Sequence, residues 1–405
     1  MPGTTLFNVD SFLDKQKVGA AHLKIIALIV VAMMLDGYDI LVLGWTLPAV
    51  AQSMHVKPQA LTGVFVAQQF GLLCGTLFMG PLADRFGRRT VLLTCITIFT
   101  ALTLATTQVS SPGVFLVIRF ISSLFFSAVI PNAIALSSEV APSRLRAGAV
   151  SVVFCGYTAG SFVGASVQAW VLGPFGWQGA FWTGGALGVA VLILLFFFLP
   201  ESIRFRVQRN GRDPAVAREL QAMDPTLKLT GDEEFVLNQA PAKKVRAPVA
   251  SLFTDGLLTP TLLLWIAYIG VFTVTHIVGS WNVTVLHNLG HLPYKYLASV
   301  TATSTTFGII GTGASGFIID RFGPSRTMPV FFIAAALCIA CYGIIDLHSP
   351  IIYLVAAGTS FFSNSGLGAI NALGALLYPS RIRATGVSWA AGAGRLTPVA
   401  RMRDG

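Results

Sequence analysis

The chain has 405 residues, 54% of them hydrophobic and only 11% charged, with a mean hydropathy of +0.72 and a formal net charge of +10. A soluble domain carries roughly twice that charged fraction, so composition argues against a water-soluble enzyme, and the positive charges form no single patch that would serve a nucleic-acid partner. Forty glycines and 29 phenylalanines suit helices that pack closely on one another and turn aromatic bulk toward lipid.

In chain order, a polar leader (residues 1–24) precedes a series of apolar runs. Each is long enough to cross a hydrocarbon core of about 30 Å, which takes about 20 helical residues. The runs lie at 25–50, 59–82, 90–108, 113–138, 147–172, 178–199, 258–286, 295–319, 327–346 and 350–377, and another begins at 384. The first is too long for a signal-peptide core and lacks a small-residue cleavage site, so it is expected to stay as a span. Backbone in lipid must satisfy its own hydrogen bonds, and runs of this length without period-two alternation select helices. The expected fold class is therefore an all-α integral membrane bundle, with ten full transmembrane helices and a partial eleventh.

Lysine and arginine set the orientation. The leader, alternate loops and the long middle loop collect nearly all of them, while the opposite side receives Lys57 and Lys295. This asymmetry predicts a cytoplasmic N-terminus in a cell inner membrane. Residues 200–257, with Pro214, Pro225, Pro241 and Pro248 and mixed charges, read as a cytoplasmic central loop in which RDPAVARELQAM can form a short amphipathic helix. It separates an N-terminal bundle (25–199) from a C-terminal one (258–399), and residues 400–405 form an atypical tail. All five cysteines lie in apolar runs, where they behave as small hydrophobes. No disulfide, metal or cofactor is expected, and no Walker loop or nucleophile elbow points to an enzyme.

The two halves repeat. GPLADRFGRRT after the second run matches GFIIDRFGPSRT after the eighth, and VAPSRLRAGAVSV after the fourth matches LYPSRIRATGVSW after the tenth. The two matches share their order and nearly their offset, Asp84 to Asp320 and Pro142 to Pro379. That pattern predicts two six-helix pseudo-repeats, the architecture in which secondary transporters hold a solute between rocking halves.

At these residues the chain resembles the major facilitator superfamily, whose signature loop GPLADRFGRRT matches in position as well as in type. LDGYDILVLGWTLP in span one, LPESIRF after span six and ALLYPSRIRATGVSWAAGAGR at span eleven resemble its aromatic acid:proton symporters. The resemblance reaches to about residue 396, and it implies proton-coupled uptake of an aromatic carboxylate such as benzoate or a hydroxybenzoate. It also implies that the signature loop latches the two halves: Asp84, Arg85, Gly87, Arg88 and Arg89 inherit that role. Asp320, Arg321, Arg144 and Arg381 stand at the repeat-related positions.

The intramembrane charges lead toward the same chemistry without the family. Asp36 and Asp39 lie three residues apart in span one, on one helix face. A carboxylate at the bilayer centre must be protonated, paired or hydrated, and two close ones cannot both ionise cheaply. Proton coupling is one reading of the pair; a structural ion pair beside a hydrated Asp is the other. Arg119 in span four keeps its proton and needs an anion, which is either a span-one carboxylate or the solute's own carboxylate, with a static interhelical bridge as the plainer alternative. Arg395 is a second candidate for the solute carboxylate. Tyr38, Trp281, Asn282, Asn364, Asn371 and Trp389 offer ring faces and amides suited to a hydroxylated ring. Glu139 at the end of span four is expected to join a surface ion network with neighbouring arginines. Gly156, Gly160 and Gly164 are expected to mark a close helix contact.

The repeat offset predicts spans eleven and twelve at about 384–409 and 415–436, yet the pattern ends after Arg395 and the chain closes on TPVARMRDG. The expectation is a truncated or frameshifted product, working as a monomer if it works at all. Three classes remain open: a proton-coupled aromatic-acid transporter, a transporter of another organic anion or sugar, and an inactive fragment.

Overall fold

The computed structural model describes residues 5–16, 18–142, 145–224, 227, 229, 233–237, 252–254, 256–290, 294–378, 386, 389–390 and 392–394, without certain side chains inside the helices. Helices dominate, and they fall on the apolar runs. Span one is α2 (Ala20–Ser53), following a short α1 (Val9–Lys15) in the leader. Spans two and three are α3 (Thr62–Phe86) and α4 (Arg88–Thr106). Span four is divided into α5 (Pro112–Phe126) and α6 (Val129–Val140). Pro131 explains the division: with no amide hydrogen it cannot bond back to the Ser127 carbonyl, and the ladder loosens at Ser127–Ala128.

Spans five and six run together as α7 (Arg146–Phe198), which breaks its helical geometry at Gly176, where φ is 64° and ψ −167° two residues after Pro174. Beyond the short α8 (Ile203–Arg209) and α9 (Pro214–Met223) come α10 (Leu258–Gly290), α11 (Tyr294–Phe322), α12 (Pro324–Cys341) and α13 (Ile351–Leu377). Among the described residues six segments are long and apolar enough to cross a membrane: Ala20–Gly44, Arg88–Thr106, Pro112–Val140, Pro174–Phe198, Leu258–Thr275 and Pro324–Cys341. α3, the first part of α7, α11 and α13 cover the other four expected runs.

Glycine decides where helices touch. Gly37 of α2 faces the Tyr157 carbonyl of α7, and Gly160 of α7 faces the Met34 carbonyl of α2, each so closely that any Cβ would overlap backbone. Gly156 meets Val30 in the same way. Small residues thus let α2 and α7 approach backbone to backbone. A second glycine role falls at the repeated loop: Gly87 ends α3 and Gly323 ends α11, with φ of 99° and 79°, a region that other residues enter only at a cost. Each lets the chain leave one helix and start the next within a single residue.

The leader and the central loop do not lie apart. Strand β1 (Thr5–Asn8) pairs in parallel with β2 (Glu233–Val236), with Phe7 in register with Phe235. Val9, Leu13, Ile203, Val207, Val216, Leu220 and Phe235 bury a small apolar core between α1, α8, α9 and β2. Arg204 binds Asp10 at 2.8 Å, and Gln16 donates to Asp224 at 3.2 Å. The expected amphipathic helix is α9, which turns Val216 and Leu220 into this core. A cavity of about 220 Å³ separates the unit from the ends of α2, α6 and α7.

In the second half, α11 and α13 are the counterparts of this close packing. Gly311 sits on the Phe361 backbone, the Ser365 hydroxyl donates to the Gly311 carbonyl at 2.9 Å, and Ser304 and Ser360 share a hydrogen bond of 2.5 Å. The halves meet where α7 lies along α11: the Cys155 thiol reaches the Ile309 carbonyl at 3.4 Å.

Candidate functional site

The site begins with a buried cation. Arg119 of α5 has no exposed surface, and Asp39 of α2 is 4% exposed. The Nη2 of Arg119 donates to both carboxylate oxygens of Asp39, at 2.8 and 2.9 Å. Removing two charges from water is costly, and it is offset only by close, hydrogen-bonded contact of this kind. Asp36 lies one turn back on α2 and is 5% exposed, so helical spacing brings both carboxylates to one buried face, as the sequence predicts. The ring of Phe181, from the second part of α7, lies under the guanidinium with its centroid 5.5 Å from Cζ. The Nε and Nη1 of Arg119 are buried and have no hydrogen-bond acceptor among the described residues. The cation is thus tethered through one nitrogen while its other donors remain available.

Tyr38 lies where α2 meets the second part of α7. It is 3% exposed, its hydroxyl donates to the Ala180 carbonyl at 2.6 Å, and its ring packs against Gly184. In this structure it joins α2 to α7. In the second half, Asn364 is half-buried and donates to the Ser360 carbonyl at 2.8 Å. Trp389 stacks on Trp265 of α10, centroids 6.3 Å apart and planes 10° apart. The side chains of Trp281, Asn282 and Asn371, and the whole of Arg395, lie outside the described residues.

A second polar group occupies the end of the bundle that carries the leader and the central loop. Arg88 forms an ion pair with Glu139, whose other oxygen accepts from the Ser202 hydroxyl at 2.6 Å. Glu201 accepts from the amides of Arg89 and Ser202, both at 3.0 Å, and so satisfies the first turn of α4 just after Gly87. The Arg89 guanidinium donates to the Phe196 carbonyl at 2.5 Å. These contacts knit the ends of spans three, four and six within one half. Arg85 and Arg321 lie over the rings of Phe86 and Phe322, their repeat-related neighbours.

Asp320 reaches across the halves: it accepts from the Gly148 amide at 2.9 Å, in the first turn of α7, where free backbone donors and the helix dipole favour a carboxylate. Arg146, at the same helix start, lies 3.4 Å from Asp14 of the leader. The Asp84 side chain and all of Arg144 and Arg381 lie outside the described residues.

Sequence reasoning missed Glu201, Ser202 and Phe181 as participants. The P-E-S segment was legible as a motif, but nothing in its spacing shows that its acid caps α4. Phe181 is one of 29 phenylalanines and carried no signal of its own. Among the described residues no cluster of His, Cys, Asp and Glu could hold a metal ion.

Residues 29–400 match one family, described as the Major Facilitator Superfamily. The chain belongs to this superfamily. A gallate transporter of Pseudomonas putida is 31% identical over 96% of this chain and 86% of its own length. The 4-hydroxybenzoate transporter of Acinetobacter baylyi is 32% identical over 90% of this chain and 80% of its own. A partially occluded, inward-open structure of the xylose transporter XylE from Escherichia coli superposes with a TM-score of 0.70, covering 95% of this chain and 90% of that one; at 17% identity it shares the fold alone. The fold is thus the major facilitator fold, and the chain is a multi-pass membrane protein, a transporter rather than an enzyme.

Proposed function

We propose that this chain is a proton-coupled symporter that takes up an aromatic carboxylate, such as benzoate or a hydroxybenzoate, across the inner membrane, as a monomer with a cytoplasmic N-terminus. The observation that carries the reading is Arg119, a fully buried cation held by Asp39 through one nitrogen with its remaining donors open. Relatives at about 30% identity that are named for gallate and 4-hydroxybenzoate support the substrate class.

The cycle follows from the charges. A proton taken up by Asp39 removes the counter-charge of Arg119, and the solute carboxylate replaces it on the open donors. Asp36 stands one turn away on the same buried face of α2, as a second carboxylate beside the exchange. Loss of the proton returns Arg119 to Asp39 and expels the anion. Proton and solute then travel together, because neither exchange is favourable alone. The ring and its hydroxyl groups fall to Tyr38 of the first half and to Trp281, Asn282, Asn364, Asn371 and Arg395 of the second. Asp84, Arg85, Gly87, Arg88, Arg89, Glu139, Arg144, Asp320, Arg321 and Arg381 form the cytoplasmic latch that holds the halves in one state; the Asp320 bond to Gly148 supports this part.

Uptake of labelled 4-hydroxybenzoate into cells that express the chain tests the proposal. Uptake should be abolished by a protonophore and by Asp39→Asn. Uptake that persists with the protonophore present rules out proton coupling, and uptake of a sugar in its place rules out the substrate class.

A further inference from the structure

We infer that Phe181 is a positioning residue for Arg119, supporting the cation while leaving its donors open for an incoming carboxylate. The inference rests on the functional reading above and deepens it. A guanidinium with no exposed surface needs support beyond a single carboxylate contact, and the Phe181 ring, 5.5 Å from its Cζ, supplies it through the negative face of the π-system. A ring has no lone pair in that direction, so it attracts the charge without accepting from Nε or Nη1, both of which remain without an acceptor among the described residues. An amide or carboxylate at position 181 would engage those donors.

The ring is itself held. Phe115 meets it edge to face at 6.1 Å and 90°, and Trp177 at 5.8 Å and 80°, all three nearly or fully buried. Phe115 stands one turn before Arg119 on α5, so the helix that carries the cation also carries the ring that fixes its support.

This arrangement has a signed effect on proton binding. Among the described residues, the titratable side chains brought here by the packed elements are Asp36, Tyr38 and Asp39 from α2 and Arg119 from α5, while α4 presents Thr100 and Thr103. When Asp39 takes a proton, Arg119 loses its counter-charge and depends on the ring. A weaker ring makes that state less favourable, so the solute-binding state is reached only at more acid pH.

The test replaces Phe181 with phenylalanines carrying one, two and three fluorines, which keep the shape and progressively empty the ring face of negative charge. The pH dependence of 4-hydroxybenzoate binding to the purified full chain is read by titration calorimetry. The midpoint should move stepwise to more acid pH, by roughly one unit at three fluorines, which is a tenfold change in the proton concentration required. Phe181→Leu should shift it at least as far. A trifluorinated ring that leaves the midpoint in place overturns the inference, and if Phe181→Leu alone moves it, the ring acts by packing only. Absence of binding by the unmodified chain, or binding that Arg119→Lys leaves intact, instead overturns the functional reading and this inference with it.

Discussion

Arg119 and Asp39, 80 positions apart in the chain, meet through one guanidinium nitrogen that serves both carboxylate oxygens, at 2.8 and 2.9 Å. A side-on fork would have used two nitrogens and held harder. The geometry found here joins two helices and still leaves the cation able to exchange partners.

Breaking that pair from one side strands a buried charge. Asp39→Asn should lower the stability of the purified protein by about 3–5 kcal/mol, seen as an earlier thermal transition in detergent. Adding Arg119→Met to it should restore most of the loss without restoring uptake. A double variant as unstable as the single one would show that the pair contributes packing rather than charge compensation.

The bond from the Gly148 amide to Asp320 closes one end of the interface between the halves, and Cys155 lies at that interface. In a chain whose other four cysteines are replaced by alanine, Asp320→Ala should speed alkylation of Cys155 by about tenfold or more, as expected for losing a charged hydrogen bond worth about 1.5–3 kcal/mol. An unchanged rate would mean that the bond does not hold the halves together.

The leader should act as part of the central loop's fold. Leu13, 3% exposed, sits in the shared core with Val207 and Leu220. Leu13→Ala should destabilise this unit by about 2–5 kcal/mol and speed tryptic cleavage after Arg209 and Arg212, which are already at the surface. The membrane helices, which have their own cores, should keep their thermal transition. Equal protease resistance in variant and parent would contradict the shared core.

Glu219 lines the cavity between this unit and the bundle. Burial raises its carboxyl to about 7, against the opposing pull of Arg206, and the nearby Asp213 and Glu201 push it the same way as burial. A carboxyl raised in the folded state holds its proton more tightly there than in the unfolded chain, so the unit loses stability as pH rises from the ordinary carboxylate range through about 7. Glu219→Gln should therefore stabilise the unit against protease at pH 8 and make little difference at pH 5. A benefit that is the same at both values would point to packing instead.

Much of the fold was legible because transfer into lipid is a local property: a run of twenty apolar residues is favourable as a helix whatever surrounds it. The division of span four was not read, because proline is tolerated in membrane helices when neighbours satisfy the freed carbonyl. The leader was read only as a polar cytoplasmic segment, with no partner in the central loop, for a related reason. Residues 5–8 and 233–236 are each too short to signal a strand, and only their pairing makes them one.

By itself, then, the sequence determined the membrane class, the placement of the helices, the duplication and the face of span one on which Asp36 and Asp39 stand. Each depends on composition or spacing within one segment. Only the tertiary structure decided that Arg119 takes Asp39, that Phe181 lies beneath it, that Glu201 serves the start of α4 and that the leader joins the central loop. Those contacts depend on how each helix is rotated and how closely its glycines let it approach a neighbour, and hydropathy along one helix carries no record of the rotation of another.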